Sequence, residues 1–234
     1  PKLCCELGEF VLVSVIVAKA FATNAWIIAT GKGNEALIVD PGIGDPDLSG
    51  AILERAAKHN LKPVAVLLTH GHLDHTFSVA PLCAKAGVPA MIHSADRILL
   101  EHPEYALSRE SKSLTQGQTF VEPDEVLELS DGSEIEIAGL NLRFVHAPGH
   151  TAGSILCHIN NEILISGDVL FAGSIGRTDL PTGSHAQMQE TLMHKIWPLA
   201  DELRVLPGHG EETSIRAERA HNPYLKAAAI GKLL

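Results

Sequence analysis

The segment LLTHGHLDHTFSVA, residues 67–80, concentrates side chains that bind metals. His70, His72, Asp74 and His75 fall within six positions and directly follow an apolar run. Imidazole and carboxylate groups at this density match the ligands that zinc and other borderline metals prefer. The alternative interpretation is a polar turn that binds no metal. On an extended strand the first three would face one side and His75 the other. Side chains that face two directions in this way predict two metal ions.

Further potential ligands stand where later predicted strands end. His150 lies in the loop APGHTAGS, Asp168 ends ISGD, and His209 follows VLP. Side chains on loops that rigid strands hold in place are the usual components of binding sites. His150 or His209 alone would be taken for an exposed histidine, and the cluster at 70–75 makes both of them candidates. His146, four residues before His150, is either a supporting group or a buried one.

The elements that would position these ligands alternate along the chain, as apolar periodicity predicts. The first half contains strands over 10–18, 25–30, 35–40, 64–68 and 89–93, with helices over 49–60, 76–86 and near 95–101. The second half contains strands at EVLEL, EIEIAG, 140–146, 154–159, 162–168 and 203–207, with helices over 186–196 and from about 214. Both halves begin with hairpin strands and end with strand–helix units. We therefore predict an α/β (α+β) fold of two facing sheets with helices outside.

The polar segment 102–125 lacks periodicity, which is typical of a long surface loop. We expect this loop to act as a lid over a bound substrate. No linker or short repeat interrupts the chain, so we predict a single domain over 1–234.

Composition limits the classes of partner. The chain of 234 residues is 45% hydrophobic but only 4% aromatic, and its formal net charge is −10. These values disfavour nucleic acid, and no apolar run reaches the roughly 20 residues of a membrane span. Cys4, Cys5, Cys83 and Cys157 lack C-x-x-C spacing, which favours a reducing cytoplasm. Acidic residues precede the run FVLVSVIVA, so we predict a buried first strand rather than a signal peptide.

The run Thr69-His70-Gly71-His72-Leu73-Asp74-His75 reads T-H-x-H-x-D-H, the signature of the metallo-β-lactamase superfamily, which the chain resembles from about Thr23 to Leu225. The resemblance implies a four-layer αββα sandwich with the site at one edge. It assigns His70, His72 and His150 to one metal ion, Asp74, His75 and His209 to a second, and Asp168 to both as a bridge. Asp40, in IVDPG, matches the superfamily's first aspartate and is expected to support the metal-binding loop.

Two segments resemble the short bacterial glyoxalase II-type members, the hydroxyacylglutathione hydrolase-like enzymes: GDVLFAGSIGRTDLPTGS (167–184) and SIRAERAHNPYL (214–225). Zinc β-lactamases commonly carry a cysteine near the position of Asp168, so the aspartate favours thioesters over lactams. About 25 residues follow His209, so we expect no separate C-terminal helical domain that binds glutathione.

The resemblance implies a metal-dependent hydrolase of a small-molecule thioester of the S-lactoylglutathione type. A hydroxide that bridges two divalent metal ions would be the nucleophile, with Asp74 and Asp168 as the catalytic carboxylates. Zinc is preferred, and iron and manganese are the alternatives. Arg177 and Asp179, in GRTD, are predicted to form an ion pair that shapes the loop after Asp168. The alternative is that Arg177 contacts an anionic substrate.

Two other functions compete with this prediction. Persulfide dioxygenases share the fold and use one iron, for which His70, His150 and Asp168 would suffice. They usually read CGRTDF where this chain has SIGRTDL, which favours the hydrolase. A non-catalytic metal-binding module is disfavoured because all seven ligand positions are filled.

Overall fold

Two six-stranded sheets form the centre of the protein in a computed structural model that describes residues 11–31 and 33–233. The first sheet has the spatial order β1 (Leu12–Val17), β2 (Asn24–Ala29), β3 (Glu35–Val39), β4 (Lys62–Leu67), β5 (Ala90–His93) and β6 (Val126–Leu129). Strands β1 to β3 pair antiparallel, and β3 to β6 pair parallel.

Neighbouring strands of the second sheet also follow chain order. Its strands are β7 (Glu134–Ile137), β8 (Leu140–His146), β9 (Ile155–Ile159), β10 (Ile163–Gly167), β11 (Arg204–Pro207) and β12 (Thr213–Ser214). Strands β10 and β11 pair parallel, and the other neighbours pair antiparallel.

Helices cover the outer faces of both sheets. Those of the first half are α1 (Ser49–Lys58), α2 (Leu73–Thr76), α3 (Val79–Ala86) and α4 (Ser94–Arg97), which continues as a 3-10 turn over Ile98–Leu100. Two further 3-10 turns, Pro103–Tyr105 and Ser111–Leu114, interrupt the predicted loop. Those of the second half are α5 (His185–Thr191), which widens into a π-helix over Leu192–Ile196, α6 (Ile215–His221) and α7 (Pro223–Ala229).

Alternation along the strands divides the apolar side chains among three core layers. On β3, Leu37 and Val39 belong to the layer between the sheets, which also holds Phe144 of β8. Ala36 and Ile38 belong instead to the layer beneath α1 and α3. A third layer lies between the second sheet and α5 to α7. The predicted αββα sandwich is confirmed.

The boundary between the sheets differs from the predicted halves. Strand β6 pairs with β5, Met91 opposite Leu127, so EVLEL completes the first sheet and the second begins at β7. Strand β1 lies at the edge of the first sheet and is half-buried, with Val17 55% exposed. The predicted first strand is present but half-buried rather than buried, because an apolar run does not show how many neighbours a strand has. Position 10 lies outside the described residues.

The predicted helix over 76–86 is in fact two helices, because Ser78 bonds outside the helix. Its amide donates to Pro41 O (2.9 Å) and its hydroxyl donates to Gly42 O (2.6 Å). The amide of Leu48 in turn donates to the Ser78 hydroxyl (2.8 Å). As a result the short helix α2, rather than one long helix, carries the last ligands of the histidine cluster.

Two further expectations concern the state of the cysteines and the absence of a membrane span. Cys83 and Cys157 are buried free thiols, whereas Cys4 and Cys5 lie outside the described residues. Among the described residues, none of the helices combines the length with the apolar composition that a membrane span requires.

Candidate metal centre

The predicted ligands meet where strands of both sheets end. His70 follows β4, while Asp168 and His209 follow the parallel strands β10 and β11. His150 lies between β8 and β9, and the rest of the 70–75 cluster leads into α2. Parallel neighbours end at the same edge of a sheet, so this edge collects side chains that are far apart in the sequence.

Three buried histidines form the first group. His72 Nδ1 lies 3.1 Å from His70 Nε2 and 2.8 Å from His150 Nε2. The three atoms face one another closely enough to share a single cation. These are the three residues assigned to the first metal.

Two histidines and a carboxylate form the second group. His209 Nε2 lies 3.2 Å from His75 Nε2 and 3.3 Å from Asp74 Oδ2. The distance from His75 Nε2 to Asp74 Oδ2 is 3.6 Å. This group matches the set assigned to the second metal.

The Asp168 carboxylate contacts both groups. Its Oδ2 lies 3.5 Å from His150 Nε2 and 3.4 Å from His209 Nε2, and its Oδ1 lies 3.4 Å from His75 Nε2. The structure thus brings together all seven residues that were predicted from the sequence. Their roles as ligands remain a prediction.

Hydrogen bonds on the outer side of three rings determine which nitrogen points inward. His75 Nδ1 donates to Asp40 Oδ2 (2.9 Å), and His150 Nδ1 donates to the carbonyl of Arg177 (2.7 Å). His70 Nδ1 donates to Thr69 Oγ1 (3.0 Å), because that hydroxyl gives its own hydrogen to Asp40 Oδ2 (2.6 Å). Nε2 of each ring is left facing the other ligands, which is the arrangement that metal-binding histidines use.

Two buried atoms of the described ligands lack a hydrogen-bond partner, and one of them, Asp168 Oδ1, tests whether a metal fits. Asp168 Oδ1 and His72 Nε2 have no hydrogen-bond partner among the described residues. A buried carboxylate oxygen without a partner is costly unless a cation or donor satisfies it. For Asp168 Oδ1, which points at the second group, a cation would do so. The donor set of nitrogens and carboxylate oxygens therefore fits divalent metals.

The protonation of the rings differs between the groups. Burial lowers the pKa of His70 well below its ordinary value, that of His72 to about 3 and that of His150 as well, so these rings are neutral near pH 7. In the second group the carboxylates outweigh burial: they raise the pKa of His75 well above its ordinary value and that of His209 to about 9. Burial is likewise outweighed at Asp74 and Asp168, where the imidazolium charges lower the pKa of each carboxyl. A cation bound there would replace those protons.

Asp40 supports the ligand loop, in the place where it was predicted. It is buried at the end of β3 with a positive φ of 48°, which a non-glycine residue rarely adopts. Besides His75 and the Thr69 hydroxyl, it accepts a hydrogen bond from the Thr69 amide (2.8 Å). One carboxylate thus orients two histidines.

Asp96 is a second supporting carboxylate, and sequence reasoning missed it. This fully buried side chain of α4 accepts hydrogen bonds from the amides of Gly71 (2.8 Å) and Gly153 (2.7 Å) and from Thr151 Oγ1 (2.6 Å). It joins the loop that carries His70 and His72 to the loop that carries His150. The surrounding SADR offers no local signal for this role.

Two glycines give the ligands their space, and both were also missed. A Cβ on Gly208 would lie 2.1 Å from Asp168 Oδ1, and one on Gly176 would lie 2.8 Å from His150 Nδ1. No side chain fits at either position without moving a ligand. A glycine directly before His209 in PGHG was the available signal.

The ion pair predicted between Arg177 and Asp179 is present. Nε and Nη2 of Arg177 donate to the two oxygens of Asp179, both at 2.7 Å, and both side chains are exposed. The carbonyl of Arg177, rather than its side chain, contacts His150. Arg177 therefore contacts the ligand His150 through its backbone.

A cavity of about 590 Å³ opens above the two ligand groups. The segment predicted as a lid contributes Leu107, Ser108 and Ser111 to its wall. The wall also contains Phe77 and Phe171, so a bound molecule would meet an apolar surface beside the ligands.

Comparison with known proteins agrees with this architecture. The family model of the metallo-β-lactamase superfamily matches residues 18–209, which include every residue of both ligand groups and Asp168. The chain belongs to the metallo-β-lactamase superfamily. This superfamily consists largely of metal-binding hydrolases.

Among its relatives in the superfamily is the hydroxyacylglutathione hydrolase GloC of Haemophilus influenzae, 33% identical over 218 residues that cover 92% of this chain and 98% of the relative. The crystal structure of BLEG-1 B3 metallo-β-lactamase is 33% identical with a TM-score of 0.79 and covers 92% of this chain and 99% of that chain. The crystal structure of TTHA1623 in a di-iron-bound form is 30% identical with a TM-score of 0.74. The match covers 91% of this chain and 100% of that chain.

Proposed function

We propose that the chain is a two-metal hydrolase that cleaves a small-molecule thioester. The observation that carries the proposal is the Asp168 carboxylate, whose oxygens lie within 3.5 Å of ring nitrogens from both ligand groups. A carboxylate in that place suits two cations a few ångström apart. The hydroxyacylglutathione hydrolase among the relatives supports a thioester as the bond cleaved, so S-lactoylglutathione is the first substrate to test.

The two ligand groups would hold the cations. His70, His72 and His150 would bind one, Asp74, His75 and His209 the other, and Asp168 both. Zinc suits this nitrogen-rich set, and iron and manganese are the alternatives, of which iron is present in a related structure. Such cations, when bound, activate water at neutral pH and stabilise the negative charge that develops on a carbonyl oxygen.

The chain's own residues hold the ligands and shape the reaction space. Thr23 Oγ1 donates to Asp74 Oδ2 (3.1 Å), which fixes this carboxylate beside His209. A thiolate is a good leaving group and requires no dedicated general acid. Consistent with this, the described residues that line the cavity include no lysine, tyrosine or glutamate.

The test measures metal content and hydrolysis on the same preparation. We expect two divalent ions per chain, and thioester cleavage that is lost on chelation and restored by the metal. Asp168→Asn should lower kcat/KM at least about 100-fold, because it removes the charge shared by both groups. Asp124→Asn, at an exposed position, is the control. Full activity in Asp168→Asn would show that the proposed chemistry is wrong.

Two alternative outcomes are distinguishable in this assay. His70, His150 and Asp168 would also suit a single iron, so one iron per chain, with oxygen uptake on a persulfide and no thioester cleavage, would indicate the dioxygenase. A β-lactam belongs in the substrate panel because one relative is a metallo-β-lactamase. We expect kcat/KM to be higher for the thioester than for the β-lactam.

A further inference from the structure

We propose that this site selects thioesters whose acyl and thiol parts are uncharged and apolar, and that it discriminates against conjugates of glutathione. The inference rests on the proposed thioesterase function and names its substrate class. It follows from the wall of the cavity above the ligand groups.

The wall of the cavity is predominantly apolar and is assembled from separate parts of the chain. Phe21 and Ile43 follow β1 and β3, Phe77 follows α2, Leu107 lies in the 102–125 segment, and Phe171 and Leu180 follow β10. Side chains that converge from so many segments define a shaped surface rather than a single exposed patch. Such a surface favours alkyl groups, each methylene of which gains free energy on leaving water.

Phe21 gives independent support. Its side chain is 59% exposed, and its backbone has a φ of 61°, which a bulky residue seldom adopts. An exposed aromatic ring in a strained conformation contributes little to the core. Its place in the cavity wall points to contact with a bound molecule.

Beyond the metal centre, the described residues of the cavity wall offer no unpaired cation to an anionic thiol. Glutathione conjugates are net anions at neutral pH. Among the described residues that line the cavity, Arg177 is the one cationic side chain other than the histidines. Its guanidinium is already paired with the carboxylate of Asp179 through two hydrogen bonds of 2.7 Å. A substrate carboxylate placed here would lose water without gaining a free cation.

Three exposed cations neighbour lining residues along the chain without lining the cavity themselves. Lys19 precedes Ala20, whereas Arg109 and Lys112 flank Ser108 and Ser111. A long anionic thiol could still meet them outside. The double variant Arg109→Ala/Lys112→Ala tests the pair in the 102–125 segment, and Lys19→Ala tests the third cation.

The experiment compares lactoyl thioesters of glutathione and of the neutral thiol N-acetylcysteamine, using the metal-loaded protein. We expect kcat/KM to be at least tenfold higher for the neutral thioester. In a series of straight-chain acyl groups it should rise by up to about fourfold per methylene until the cavity is filled. Titration calorimetry with the corresponding thioethers, which cannot be hydrolysed, should give the same order of affinity.

Variants separate the effect of the paired cation in the wall from the effect of its apolar side chains. Asp179→Asn frees Arg177 and should raise the ratio of glutathione to neutral activity several-fold. Phe21→Ser should flatten the dependence on acyl length, whereas Ile230→Ser, at another exposed apolar side chain outside the cavity, should retain it. The Arg109→Ala/Lys112→Ala and Lys19→Ala variants should keep the ratio of the unmodified protein.

The outcomes distinguish this inference from the function on which it rests. Equal or better cleavage of the glutathione thioester, or its selective loss in the Arg109→Ala/Lys112→Ala or Lys19→Ala variant, would overturn the inference and leave the thioesterase intact. If metal-loaded protein cleaved no thioester of either kind, the proposed function itself would be wrong.

Discussion

At the scale of single residues, two buried carboxylates organise the ligands without touching the reaction space. Asp40 orients His75 directly and His70 through Thr69. Asp96 bonds the amides of two ligand loops. Groups of this kind fix the direction of ligand lone pairs and strengthen metal binding.

Asp96→Asn tests the second of these carboxylates. The amide NH₂ would face backbone N–H donors, so at least one buried donor loses its acceptor. We expect the free energy of unfolding to fall by about 2–4 kcal/mol and metal affinity to fall about 10- to 100-fold. Urea unfolding and metal titration measure the two effects, with Asp124→Asn as the exposed control. Unchanged metal affinity in the folded variant would contradict the role assigned to Asp96.

His158 provides a pH test away from the metal centre. Burial, followed by the charge of its cross-strand partner Arg143, lowers the pKa of His158 to about 4. The unfolded chain, with an ordinary pKa near 6.5, then binds more protons than the folded one between these values. The contribution of His158 is complete above about pH 6.5 and is lost as pH falls towards 4.

His158→Gln should therefore reduce the loss of stability between about pH 6.5 and 4. Urea unfolding across that range measures it, with His221→Gln, at an exposed histidine, as the control. Identical pH profiles for His158→Gln and the unmodified protein would show that His158 already titrates normally in the folded state.

At the scale of elements, the ends of β10 and β11 must approach closely for Asp168 and His209 to meet. Gly208 permits this approach because it has no Cβ. A Cβ at this position would lie 2.1 Å from Asp168 Oδ1. On the other sheet, the break between α2 and α3 likewise allows ligands to reach the site. There, the bonds of Ser78 separate the turn that carries Asp74 and His75 from the longer helix.

Gly208→Ala should displace the Asp168 carboxylate. We expect metal affinity to fall more than about tenfold, because the shared ligand moves while the sheets remain paired. Gly50→Ala is the matched control: Gly50 lies on α1 with open space around it, and alanine there should be neutral or stabilising by up to about 1 kcal/mol. Calorimetric metal titration would contradict the expectation if both variants bound equally.

At the scale of the whole molecule, the site joins the two sheets. The 70–75 cluster belongs to the first sheet, whereas His150, Asp168 and His209 belong to the second. A cation held by both sets binds the folded chain and not the unfolded one. Metal binding should therefore stabilise the sandwich as a unit.

Removal of the metal tests this coupling. A free metal concentration about 1,000 times its Kd should add about 4 kcal/mol to the free energy of unfolding, and a chelator should remove it. Thermal and urea unfolding with and without chelator measure the difference, which should shrink in Asp168→Asn. Unfolding curves that do not respond to metal would contradict a site shared between the sheets.

Local patterns account for much of the fold. Short apolar runs bounded by turn residues predict β2, β3, β8 and β9 within one or two residues, and Gly87 ends α3 at its left-handed φ of 68° as expected. The errors have a common cause. The pairing of β6, the edge position of β1 and the break at Ser78 all depend on contacts with distant segments, which periodicity does not record.

The same division holds for the site. Residue type and spacing alone identify the seven candidate ligands, because metal chemistry restricts ligands to a few side chains and T-H-x-H-x-D-H places four of them together. The supports are different in kind. The carbonyl of Arg177, the clearance at Gly208 and the bonds of Asp96 involve backbone atoms, or a missing Cβ, at positions tens of residues apart. Every residue carries those backbone groups, so only the folded chain shows which of them meet the ligands.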